Sequence, residues 1–366
     1  MPKKASDFTL MISTIILVFI GIVMVFSSSY PDAYYNFNDP YHYLKRQLIF
    51  SFLGLFTMIF FMNFKYWLLN RLSKVIFLGC ILLDALLFTP LGRSFGGARR
   101  WISIAGFTIM PSEAIKLGSI ILMASFLANK KNRIRSFKNG LIPSLLLIGF
   151  ACGLILIQPD LSTSATLGAT LVVVLFISGA KLSHLFGLGF LGISGIALAI
   201  YNEPYRLKRI TAFLHPFEVK NDEGWQVVQS LYALGSGGLF GSGLGQSRQK
   251  FFYIPEPYND FIFSIIGEEL GFIGGLIIIL LFLVIIWRGI RIALGAKDLF
   301  GCFLASGIVA LIAIQSLIHI GVVTSSLPPT GIPLPFVSAG GTSLMIFMAA
   351  IGMLLNISRH TELDRS

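Results

Sequence analysis

Charge is scarce in this 366-residue chain: Asp, Glu, Lys and Arg together make up 12% of it, against 55% hydrophobic residues. Soluble domains carry about a quarter charged residues, so a water-soluble globule is excluded and a polytopic membrane protein is implied. Cysteine is nearly absent. Cys80, Cys152 and Cys302 fall in apolar stretches and show neither metal-ligand spacing nor a disulfide pattern. The five histidines are scattered, which argues against a histidine-based metal centre. A convincing internal repeat is also lacking, and no matched pair of broken helices suggests an inverted-repeat transporter. Acids are outnumbered, 17 to 28, for a net charge of +11. In a soluble protein that excess would point to nucleic acid. Here it points to the positive-inside rule and to anionic lipid, and no nucleic-acid partner is expected.

What remains is a succession of long apolar runs. Candidate spans begin near Phe8, Leu48, Lys74, Ser112, Leu141, Thr163, Ser183, Phe261, Leu299 and Ser338. At about 20 residues each they give an all-α, polytopic fold of about ten transmembrane helices, read as one membrane domain over residues 1–366. The first run, Phe8–Phe26 behind Lys3 and Lys4, exceeds the roughly 7–15 residues of a signal-peptide core and reads as a retained helix. Most of the basic residues, densest at Lys130, Lys131, Arg133, Arg135 and Lys138, fall in alternate connections. That asymmetry puts both termini in the cytoplasm. The largest connection, about residues 201–260, precedes the eighth span and lies outside. It is too long for a simple connector.

Five stretches carry polar chemistry. In "RRWISIAGFTIMPSEAIK", Ser112 reads as a helix cap, and Glu113 and Lys116 at i and i+3 form a pair on one face. The pair either makes a lysine tolerable near lipid or lines a cavity, with Arg99 and Arg100 above it able to hold a phosphate. In "LIQPDLSTS", Gln158 and Asp160 interrupt an apolar run, either as a capped turn or as lining of the same cavity. "LYALGSGGLFGSGLGQSRQK" has six glycines but no GKS or GKT and no preceding strand. A nucleotide loop is therefore improbable, and a flexible or re-entrant loop near a lipid phosphate fits better, with Arg248 and Lys250 at its end. In "YIPEPYNDFIFSIIGEELGFIGG", Asn259 or Asp260 caps the helix that follows, or Asp260 is a general base at the mouth of the bilayer. Glu256, Glu268 and Glu269 accompany it, and acids two turns into an apolar run are functional or paired. The proline-rich "PPTGIPLPFVSAGGTSL" implies a stiff, irregular backbone.

Together these segments resemble the SEDS family (shape, elongation, division and sporulation) over nearly the whole chain, closest to its Gram-positive FtsW/SpoVE branch. The matching text is "GARRWI", "PSEAIK", "QPDLSTS", the run from Trp225 to Gly275, and "PPTGIPLPFVSAGGTSL". Asn259 stands where the family usually has Thr, and His319 where Asn is common. The resemblance implies an inverting peptidoglycan glycosyltransferase that polymerises lipid II, the undecaprenyl-diphosphate-linked disaccharide. It implies a multi-pass protein of the bacterial cytoplasmic membrane with its active site facing outward. It also implies a class B penicillin-binding protein as transpeptidase partner, among other cell-wall or division proteins. The family's essential aspartate falls on Asp260. Arg99, Arg100, Lys116 and Lys250 are then candidates for the diphosphate. Glu113, Gln158, Asp160, Glu256, Glu268 and Glu269 are candidate contacts in the same cavity, and Mg or Mn is an open option. A lipid II flippase and a non-catalytic scaffold are the competing readings. A flippase needs no positioned base, and a scaffold leaves the intramembrane acids without a purpose.

Overall fold

The computed structural model describes residues 5–95, 98–104, 107–129, 134, 136–218 and 224–361. Twelve α-helices are present among them: α1 (Phe8–Phe37), α2 (His42–Asn63), α3 (Tyr66–Ala85), α4 (Pro111–Asn129), α5 (Ile142–Leu156), α6 (Leu161–Ile177), α7 (Leu182–Tyr201), α8 (Pro204–Leu214), α9 (Trp225–Ser236), α10 (Ile262–Leu294), α11 (Leu299–Val323) and α12 (Gly341–Ser358). Carboxylates start several of them. Asp7, Asp160 and Asp298 accept hydrogen bonds from the first-turn amides of α1, α6 and α11, filling donors that a helix start leaves empty.

Seven of the described helices are long and apolar enough to cross a membrane, against the ten expected. α5 and α6 are apolar but only 15 and 17 residues long, and α3 carries Arg71, Lys74 and Asp84. The helical class holds with one addition. The connection between α3 and α4 forms a three-stranded antiparallel sheet, β1 (Gly92–Phe95), β2 (Ala98–Ile104) and β3 (Phe107–Ile109). The run "ARRWISI" does not alternate strictly between polar and apolar residues, and the β1–β2 pairing is irregular where Ser94 faces Arg99 and Arg93 faces Trp101.

α4, α11 and α12 form the interior, with most of their residues buried. α2 lies along α12, α1 along α10, and α3 along α4. α7 packs mainly against α6 and α8, its His184 ring also meets Phe137, and none of its described residues is buried. At one end of the bundle Asp7 on α1 pairs with Arg288 on α10, Oδ2 to Nη2 at 2.6 Å. Lys138 directly precedes α5, whereas Lys3, Lys4, Lys130, Lys131, Arg133 and Arg135 lie outside the described residues.

The large connection is structured. α8 is amphipathic and mostly exposed, and α9 is half-buried against α10 and α11. The glycine-rich stretch after α9 is spliced into α10. At Gly271 the helix is interrupted by φ 68° and ψ −169°, a conformation that only glycine adopts without strain. The amides of Phe272 and Ile273 donate instead to the carbonyls of Gly238 and Leu239, at 2.9 and 3.2 Å. The carbonyls of Glu268 and Glu269, which those amides would have capped, accept from Ser242 and Gly243 at 2.9 and 3.0 Å. The loop thus replaces, bond for bond, what the break removes, as a buried backbone requires.

Candidate active site

Asp260 sits where the large connection turns into α10. The amides of Asn259 and Asp260 both donate to the carbonyl of Glu256, a turn in which Glu256 itself holds φ 44°. α10 is entered through Phe261 with no side-chain cap, and Oδ1 of Asp260 is sealed from solvent with no hydrogen-bond partner among the described residues. The capping reading of Asp260 therefore fails. Its other oxygen faces the proline-rich segment between α11 and α12: a Cβ added at Gly331 would lie 3.2 Å from Oδ2.

Burial and then the neighbouring Glu256 push the Asp260 carboxyl up to about 7, with Asp160 adding to the rise while Arg209 and Arg100 oppose it. The fold thus gathers Arg100, Asp160, Glu256 and Asp260 from three distant parts of the chain. It adds Arg209, a residue of α8 that no local motif distinguishes. Arg209 donates to the carbonyl of Pro329 at 3.4 Å. Arg100, on β2, donates to the carbonyls of Gln158 and Pro159 and lies 3.6 Å from Oδ2 of Asp160. Asp160 in turn caps α6 through Thr163, and the Gln158 amide donates to Asp84.

Other candidates lie elsewhere or are already engaged. Arg99 is next to Arg100 on β2 at the point where the pairing with β1 skips Arg100, and Arg99 donates to the carbonyl of Thr89 instead of to the Gln158–Asp160 turn. Glu113 and Lys116 do pair, at 2.9 Å, fully inside the bundle. The Lys116 ammonium also donates to Gln315 at 2.9 Å and lies over the Phe347 ring. Lys250 is buried with Glu269, Nζ to Oε1 at 2.9 Å. Glu269 further accepts from the Ser27 hydroxyl on α1, at 2.8 and 2.6 Å, and from the amides of Gly245 and Ser247. Glu268 accepts from the Ser247 hydroxyl and the amides of Arg248 and Gln249. Both acids are occupied in holding the glycine-rich loop, which answers why an apolar helix carries them. No cluster of three His, Cys, Asp or Glu suited to a metal occurs among the described residues. Glu268 and Glu269 are engaged with the loop and Asp160 with a cap and an arginine, so none of these three acids is open to a divalent ion.

This constellation is carried by a chain whose residues 8–363 match the model of the cell cycle protein family of FtsW, RodA and SpoVE. The chain belongs to that family. Its relatives in the FtsW/RodA/SpoVE family include stage V sporulation protein E of Bacillus subtilis (strain 168), 49% identical over 361 residues, covering 98% of this chain and 99% of the relative. A probable peptidoglycan glycosyltransferase FtsW of Trichlorobacter lovleyi is 42% identical over 358 residues, covering 98% and 94%. Among solved structures, the rod shape determining protein RodA of Thermus thermophilus superposes with a TM-score of 0.72 at 26% identity, over 98% of this chain and 99% of that one. A chain solved in work on the structural coordination of polymerization and crosslinking by a peptidoglycan synthase complex gives a TM-score of 0.81 at 25% identity, over 98% and 99%.

Proposed function

We propose that this chain is a peptidoglycan glycosyltransferase that polymerises lipid II at the outer face of the bacterial cytoplasmic membrane, with Asp260 as general base. The observation that carries the reading is the Asp260 carboxylate: one oxygen unbonded, its proton affinity raised to about 7, two arginines within electrostatic reach. A base is most effective when its pKa lies near the working pH. In the step proposed, Asp260 takes the proton of the acceptor sugar's 4-hydroxyl as its oxygen attacks the donor's anomeric carbon. The bond from that carbon to the diphosphate oxygen breaks, and undecaprenyl diphosphate leaves. A single displacement inverts the α-linked donor to a β-linked strand. Arg100 and Arg209 offset the charge growing on the leaving diphosphate. Lys116 and Lys250, both buried in ion pairs, serve the frame rather than the substrate. Mg or Mn, if used, would come with the diphosphate.

The outward orientation is supported by the basic residues concentrated in alternate connections. A class B penicillin-binding protein is the proposed partner, supported by the likeness to a chain of a polymerising and crosslinking synthase complex. Strand formation from lipid II by the purified protein, resolved on a gel, tests the activity. Its increase on co-purification with the transpeptidase tests the partner. Translocation of lipid II without polymer would favour a flippase.

A further inference from the structure

The proline-rich segment between α11 and α12 touches Asp260 on one side and the interior of the bundle on the other. Its Gly331 backs the Asp260 carboxylate. Further on, the Ser338 hydroxyl donates to the carbonyl of Asn259 at 2.7 Å, and the amide of Ala339 donates to the carbonyl of Tyr258 at 2.9 Å. Two hydrogen bonds therefore bind this segment to the last residues of the turn that carries Asp260, and Gly331 leaves beside the carboxylate the space a side chain would fill. On its inner side two consecutive carbonyls are held from α11. Gln315 donates to the carbonyl of Pro333 at 2.9 Å, and Nδ1 of His319 donates to that of Ile332 at 2.8 Å. Gln315 and His319 are four residues apart and so lie one above the other on one helix face. Both are buried, at 0% and 1% exposure.

Gln315 has a second task. Its Oε1 accepts from Lys116, which pairs with Glu113. That ion pair fixes which way round the Gln315 amide sits: with the oxygen held by an ammonium, the NH2 is aimed at Pro333. A buried amide with both ends satisfied is strongly oriented. Pro328, Pro329, Pro333 and Pro335 remove four amide donors from the segment, and side chains from α11 hold two of its carbonyls.

We infer that Gln315 and His319 are positioning residues for the glycosyl transfer: they peg the segment around Ile332 and Pro333 to α11 and thereby set where the Gly331 backbone lies beside Asp260. The inference rests on the reading of Asp260 as the base. Neither residue touches the reacting atoms. Both act through the loop, and the Glu113–Lys116 pair acts through Gln315. The groups facing Asp260 are Glu256, Asp160, Arg209 and Arg100, none of which is altered by the test below.

The experiment is steady-state polymerisation of lipid II, with kcat and KM measured across pH on purified, monodisperse protein. Gln315→Met and His319→Phe keep the bulk and remove the pegs. Each is expected to lower kcat about 10-fold or more, since a misplacement of about 1 Å can cost roughly 100-fold, with KM within about 2-fold and the acid midpoint of the profile moved. His319→Gln, which retains a donor for Ile332, is expected to recover most of the rate. A merely structural role would lower thermal stability and leave the midpoint in place. Should the α11 variants not fold, Gly331→Ala decides from the other side. It leaves the bundle interior untouched, and its Cβ would meet Asp260 at a backbone φ of 69°. A wild-type kcat and midpoint in the folded α11 variants, or in Gly331→Ala, overturns the inference. If Asp260→Asn is inactive in the same assay while these variants behave as wild type, the positioning role alone falls. If Asp260→Asn polymerises normally, the base reading falls first.

Discussion

The ammonium of Lys250 lies 2.9 Å from Oε1 of Glu269, with the two side chains 4% and 0% exposed. Removing one partner of such a pair strands the other charge, which costs about 3–5 kcal/mol. Lys250→Met is therefore expected to lower the thermal unfolding temperature and to abolish polymerisation together. Adding Glu269→Gln should recover part of the stability. Thermal unfolding in detergent measures both. A Lys250→Met protein of unchanged stability with only a raised KM would instead return Lys250 to the diphosphate.

Asp260→Asn preserves size and removes the base. The loss expected is about 100- to 10,000-fold in rate, with folding intact. Because the carboxylate is disfavoured by its surroundings, the amide should be no less stable than the acid at pH 8. Strand synthesis and unfolding measured on one preparation check both. A folded variant with near wild-type synthesis would remove Asp260 from the chemistry.

The pH profile follows from the same group. A base works ionised, so kcat/KM is expected to fall about tenfold per pH unit below a midpoint near 7. Glu256 raises the Asp260 carboxyl and Arg209 lowers it. Glu256→Gln should move the midpoint to lower pH and Arg209→Gln to higher pH. Shifts of the same sign would contradict the arrangement.

Orientation is open to a labelling experiment. Gln246 is exposed in the glycine-rich loop, whereas its neighbour Ser247 is buried against Glu268. Gln246→Cys in intact cells should react with a membrane-impermeant maleimide. Reaction only after lysis would invert the topology.

The helical class and the polar segments were legible because apolar length and loop charge are local properties of sequence. Asp260 could be singled out, but its capping role could only be dismissed once Phe261 was found at the helix start and Oδ1 unbonded. The role of Glu268 and Glu269 was not legible: their donors come from residues some twenty positions upstream and, for Ser27, from another helix. Nor was the difference between Arg99 and Arg100. It arises from a strand whose register shifts at Arg100, and "ARRWISI" lacks the strict alternation that would announce one. Arg209 and Gln315 stand in ordinary helical sequence, and His319 is marked there only as a departure from the family's usual Asn; all three acquire a role from what the fold sets opposite them.

The splice at Gly271 has a consequence for length. Surface loops ordinarily accept insertions. This one is fixed at both ends of the break, Gly238 and Leu239 on the amides, Ser242 and Gly243 on the carbonyls, so only two residues separate its two attachments. A single residue added between Leu239 and Ser242 would unseat one attachment or the other, and no side-chain change elsewhere could take up the slack. The stretch that reads as the most pliable in the chain is the one whose count of residues is least free to change.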